Sequence, residues 1–154
     1  MIMRKQCNFV ALGLALCTLC AAAAFADSHH ELNGTWVLLP SKSDFAGQPP
    51  LKSATLTVYD RQHNIYISRT FAFQGPQGTS SYTLSLDGGE NSTIHDGKIV
   101  RSKARWEGNV LKVTTTVDGV PSVERYTLEA DGRLLGIVER PDHQTMTLTF
   151  VRQQ

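Results

Sequence analysis

Beyond residue 26 this chain has no cysteine; its three, Cys7, Cys17 and Cys20, all come earlier. Once an N-terminal segment is removed, the remainder can make no disulfide, no thiolate nucleophile and no cysteine-based metal site. Its stability must then come from a packed core, which a chain of this length can supply. Helical spacing of apolar residues is also missing after residue 26, and so is any long apolar run. No serine sits in a G-x-S-x-G context, and no glycine-rich loop opens a helix to cradle phosphate. Charge is scarce, with 19% Asp, Glu, Lys and Arg and a formal net charge of +1. Loss of Arg4 and Lys5 with the N-terminal segment changes the balance to −1, with 13 basic against 14 acidic residues. A chain so neutral carries no electrostatic footprint for nucleic acid or an anionic membrane.

The N-terminus supplies the long apolar run that the rest lacks. Arg4 and Lys5 form a basic start, Phe9 to Ala24 an apolar centre, and Ala24-Phe25-Ala26 a small-x-small cleavage site before Asp27. Residues 1–26 are expected to be a secretory signal peptide, and 27–154 one domain delivered to a periplasm or outside the cell. A spanning anchor needs roughly 20 apolar residues without such a cleavage signal; no membrane insertion is expected after cleavage. Leu16 and Leu19 stand where lipid attachment at Cys17 or Cys20 would want a small residue. The Ala-rich signal is bacterial in style, so the sequons at Asn33 and Asn91 carry little weight.

The remainder is built of short alternating runs. Gly34 to Leu39 opens with Trp36 as a large apolar plug. A connection from Pro40 to Leu51 follows, too rich in proline for a central strand, with Phe45 its one large apolar residue inside. Strand-like runs are then expected at 53–59, 63–73, 80–86, 98–106, 110–117, 122–129, 133–139 and 145–151, each with one apolar face. Asp87 to Gly97 reads as a second long loop. Nine runs at roughly ten-residue spacing, joined by turns such as Asp131-Gly132, make a meander whose closure removes exposed edges. The expected fold is all-β: a single antiparallel up-and-down barrel of eight to nine strands.

The stretch Gly34-Thr35-Trp36-Val37-Leu38-Leu39-Pro40-Ser41-Lys42-Ser43-Asp44-Phe45 resembles the opening of small secreted bacterial proteins described as lipocalin-like, or calycin-like. Asp87-Gly88-Gly89-Glu90-Asn91 and Arg105-Trp106-Glu107-Gly108-Asn109-Val110-Leu111 look similar in kind. Lipocalins open with G-x-W, carried here by Gly34 and Trp36. The resemblance implies a barrel enclosing a small apolar ligand, and an arginine near the last strand packed over the tryptophan. Arg140 and Arg152 are the counterparts this chain offers. It departs from lipocalins in lacking a helix after the last barrel strand. The resemblance implies no catalytic activity.

Chemistry is hard to find among the residues. His63, His95 and His143 lie at or beside turns, and His95 next to Asp96 is the best of poor acid/base candidates. Asp87, Glu90 and Asp96 lack the regular spacing of a calcium loop and read as turn residues. No enzyme, cofactor or metal is expected. Binding fits better. Arg69 is in phase with Ile65, Ile67, Phe71 and Phe73, so a straight strand would put it in the lumen against a carboxylate headgroup. The ordinary expectation is a bend that turns it to solvent. Arg101, Lys103 and Arg105 make a basic outer stripe, solvated by default. Tyr82, Trp106 and Tyr126 would line a cavity or complete the core. The expected function is a secreted, non-enzymatic barrel taking a small apolar or amphipathic ligand at Trp36, Phe45, Arg69, Tyr82, Trp106 and Tyr126. The alternative is an envelope interaction or inhibitor module that meets a protein partner through loops 40–51 and 87–97.

Overall fold

The computed structural model describes residues 29–73, 77–141 and 143–154; the expected signal peptide lies outside them. Ten antiparallel strands form one sheet. They are β1 (Gly34–Leu38), β2 (Ser53–Arg61), β3 (Asn64–Ala72), β4 (Gln77–Ser85), β5 (Asn91–His95), β6 (Lys98–Glu107), β7 (Val110–Val117), β8 (Val120–Leu128), β9 (Leu134–Glu139) and β10 (Met146–Arg152). The sheet runs β4-β3-β2-β1-β10-β9-β8-β7-β6-β5. Every neighbour except β1 and β10 is next in sequence, so short turns suffice, and the β1–β10 pairing joins the two halves. The sheet curls into a nearly closed barrel whose seam lies between β4 and β5. Asn91 spans it by donating from Nδ2 to the Thr83 carbonyl at 2.6 Å.

The expected count of eight to nine strands is therefore corrected to ten. The additional strand, β5, lies inside the segment read as a loop, 87–97. All five of its residues are exposed. It is held by backbone pairing to β6, from Asn91 opposite Ser102 to His95 opposite Lys98. A strand that buries nothing has no apolar face for alternation to reveal.

The two ends of the barrel are built differently. At one end the apolar faces meet in a dry core of Leu32, Trp36, Val58, Ile65, Ile67, Leu84, Leu111 and Leu134, each at most 1% exposed. A short 3-10 turn at His30–Leu32 stoppers this end. Its Leu32 carbonyl accepts a hydrogen bond from Trp36 Nε1 at 2.9 Å. Fully burying each of these side chains contributes about 1.5–3 kcal/mol, which offsets the ordering of long-range strand pairs.

The other end is crossed by the 40–51 connection. It begins with a 3-10 turn at Pro40–Lys42, bridges β10 through Asp44 and Thr147, and packs Phe45 and Leu51 against the core.

Candidate ligand cavity

Beneath that connection lies a cavity of about 290 Å³. Phe45, Pro49 and Leu51 of the connection form one wall, with Ala54 and Leu56 of β2 and Phe71 of β3 beside them. Val138 of β9 and Met146, Leu148 and Phe150 of β10 close it opposite. Arg69, Glu124 and Tyr126 form a polar cluster in this mostly apolar lining, Gln48, Thr55, Thr70 and Ser80 add uncharged polar groups, and Arg140 stands exposed at its edge.

Arg69 reaches the cavity because β3 runs straight. Register with β2 and β4 is unbroken from Asn64 to Ala72, placing Arg69 opposite Leu56 and Ser80. The bend expected to turn Arg69 outward is absent, and the side chain keeps the inward phase of Ile65 and Ile67. Burying a guanidinium demands an opposite charge, and Glu124 of β8 provides it through an ion pair between Arg69 Nη2 and Glu124 Oε2. The same carboxylate oxygen accepts a hydrogen bond from the Tyr126 hydroxyl at 2.7 Å. The Arg69 guanidinium also lies 5.0 Å from the centre of the Tyr82 ring, a cation–π distance. Gly136 sits opposite Tyr126 on β9. A Cβ there would approach the Tyr126 ring to 3.2 Å, so the missing side chain leaves the ring its room.

The cluster is rich in donors. Burial lowers the affinity of Arg69 for its proton, but its polar neighbours, the Glu124 carboxylate among them, oppose this, and the net shift is upward. Arg69 is therefore a fixed cation. Burial pushes the Tyr82 and Tyr126 phenols up as well, holding both neutral and able to donate. Arg69 Nε and Nη2 and the Tyr82 hydroxyl are buried without a hydrogen-bond acceptor among the described residues. The Nη2 contact with Glu124 is thus an ion pair lacking hydrogen-bond geometry.

Of the six residues the sequence offered, Phe45, Arg69 and Tyr126 line this cavity and Tyr82 backs it through Arg69. Trp36 and Trp106 do not line it. Trp36 is fully buried in the closed end. Trp106 donates from Nε1 to Asp60 Oδ2 at 3.2 Å, and its ring lies 3.9 Å from that of His29. Glu124 escaped the sequence reading, although its signal is plain: it lies two residues before Tyr126 on the same strand face.

The other candidates stay apart from the cavity. His95 and Asp96 are 3.4 Å apart and mostly exposed. Asp87 accepts from Ser85 Oγ and the Gly89 amide, each at 2.7 Å, as a turn residue does. Glu90 meets Arg101 at 3.7 Å. Among the described residues no three His, Cys, Asp or Glu side chains converge as metal ligands would. In the basic stripe Arg101 faces Glu90 and Arg105 pairs with Glu107, so two of its three charges are partnered.

No protein-family model matches the chain, and no curated protein sequence matches it. Solved structures do. A fatty-acid-binding protein of Schistosoma mansoni, in complex with arachidonic acid, superposes with a TM-score of 0.63 at 18% identity, covering 82% of this chain and 99% of that one. Fatty-acid-binding protein 1 of Echinococcus granulosus gives 0.61 at 16%, covering 81% and 99%. Secretory abundant heat soluble protein 4 of Ramazzottius varieornatus gives 0.62 at 14%, covering 80% and 96%. At such identities the likeness is one of fold, and the fold it shows is the ten-stranded, nearly closed antiparallel barrel of the fatty-acid-binding proteins.

Proposed function

We propose that this chain is a secreted, non-enzymatic barrel that takes a small apolar or amphipathic ligand into the cavity at its open end. The observation that carries the reading is the cavity itself: about 290 Å³, walled by Phe45, Leu51, Phe71, Met146, Leu148 and Phe150, with the Arg69–Glu124–Tyr126 cluster among its few polar groups. Its size is at the lower edge of the roughly 300–1,000 Å³ of small-molecule sites, and it has their composition, mostly apolar with a few placed polar groups. The fatty-acid-binding neighbours support it at the level of fold. The sequence of residues 1–26 supports export to a periplasm or beyond.

The 40–51 connection bears on the rival reading, a module acting through its loops. Phe45 and Leu51 pack against the core and line the cavity, with exposed Gln48 and Pro49 at its border, which favours a role for this loop in the interior.

Two measurements test the proposal. Native mass spectrometry of protein purified from its own compartment should show a retained small molecule that is lost on denaturation. Titration with an uncharged solvatochromic dye should show saturable binding that Leu148→Trp, which fills the cavity, weakens at least tenfold. Dye binding unaffected by filling the cavity would place the ligand elsewhere and overturn the reading.

A further inference from the structure

Inside the cavity the charge of Arg69 is already balanced by Glu124, with Arg140 standing apart at the exposed edge, and this bears on the ligand's polar end. Arg69 and Glu124 both reach the lining, at 19% and 14% side-chain exposure, and pair with each other. The Glu124 carboxylate is further engaged by the Tyr126 hydroxyl. A second carboxylate brought to Arg69 would stand beside Glu124, and two anions in one desolvated site repel. The cluster nevertheless has donors to spare. Arg69 carries five N–H groups, and the two tyrosines one O–H each. Arg69 Nε and Nη2 have no acceptor among the described residues, and Arg69 lines the cavity whereas Tyr82 lies behind it. Buried donors without acceptors are costly, so a group that accepts without adding charge is favoured there.

Resting on the binding role proposed above, we infer that the Arg69–Glu124–Tyr126 cluster selects ligands whose polar end is uncharged, such as an alcohol, ester or amide oxygen, over free carboxylates. Glu124 is the specificity-determining residue. It neutralises the cation that would otherwise capture an acid, and it leaves the surplus N–H groups of Arg69 to a neutral oxygen.

The test is a competition of decanol, methyl decanoate and decanoate against Nile red, at a pH where the acid is fully ionised. In the unaltered protein the alcohol and the ester should displace the dye at concentrations at least tenfold below the acid. In Glu124→Gln, which keeps the shape and removes the anion, the order should reverse, with decanoate gaining at least tenfold. Equal or stronger displacement by decanoate in the unaltered protein overturns the inference and leaves the binding role standing; that comparison needs no variant to fold. A reversal that fails in a folded Glu124→Gln variant overturns the role of Glu124. Absence of any dye or decyl binding overturns the binding role and the inference together.

Discussion

The Arg152 guanidinium lies 4.2 Å from the centre of the Trp36 ring, capping it at the closed end of the barrel. Of the two arginines the lipocalin resemblance offered, the structure thus uses Arg152, and Arg140 stands at the cavity edge instead. The arrangement depends on Gly34. Its φ is +133°, and a Cβ there would come within 2.7 Å of Arg152 Nη1. Gly34→Ala should therefore destabilise the fold by about 1–3 kcal/mol through backbone strain alone, with the displaced guanidinium adding to it. Arg152→Ala should lose about 0.5–2 kcal/mol of cation–π interaction. Urea denaturation of both variants and of the double variant checks the coupling. If the double variant loses the sum of the two singles, the residues act independently and the capping argument fails.

Arg69 and Glu124 make a second coupled pair. Removing one charge strands the other in the barrel, so Arg69→Met or Glu124→Leu alone should cost about 3–5 kcal/mol. The double variant replaces both charges by apolar groups and should recover most of that loss, since a buried ion pair is often worth no more than packed hydrophobic residues. A double-mutant cycle from equilibrium unfolding measures this directly. Two single variants with losses below 1 kcal/mol would mean that water reaches the pair freely.

What the sequence made legible follows from burial. Strands such as β7 and β10 have one face in the core, and their alternation of apolar residues gave their positions to within about a residue or two. Nothing in β5 is buried, so its backbone pairing left no trace in side-chain chemistry. Trp36 and Trp106 illustrate a different limit. Alternation says that a large ring points inward, but not at which end of the barrel, and only the register of the folded sheet decides that. Arg69 was legible in phase and misjudged in energy. Its inward position looks prohibitive until Glu124, fifty-five residues on in sequence, is brought beside it by the fold.

Alkaline pH should act through the two buried phenols. Burial raises the Tyr82 and Tyr126 pKa in the folded protein above the ordinary value of about 10 that the unfolded chain retains. A group raised in this way contributes stability that is complete below the unfolded value and is lost as pH climbs past it toward the folded one. Stability should thus hold to about pH 10 and fall above it. Tyr66, lowered by its hydrogen bonds with Ser81 and Ser68, should ionise without unfolding. Following phenolate absorbance alongside circular dichroism checks this: Tyr82 and Tyr126 should ionise only as the fold is lost, and Tyr82→Phe should flatten the decline. Ionisation of Tyr82 and Tyr126 in an intact barrel would contradict the burial argument.

The seam between β4 and β5 should be the least stable part of the barrel. β5 is paired on one side only and its five residues are exposed, so opening it sacrifices backbone hydrogen bonds and almost no apolar contact. Ile94 and Ile99, paired across the β5–β6 hairpin, are 74% and 50% exposed and hold nothing beneath them. Regions with few buried contacts open far below the cost of global unfolding. Amide hydrogen exchange should therefore be fastest in 91–95 and slowest in β1, β9 and β10, where Trp36, Leu134 and Phe150 anchor the core. Asn91→Ala, which removes the 2.6 Å hydrogen bond to the Thr83 carbonyl, should speed exchange in 91–95 while shifting global stability by less than about 1 kcal/mol. Exchange in β5 as slow as in β10 would mean that the seam is closed by something stronger than this one side chain.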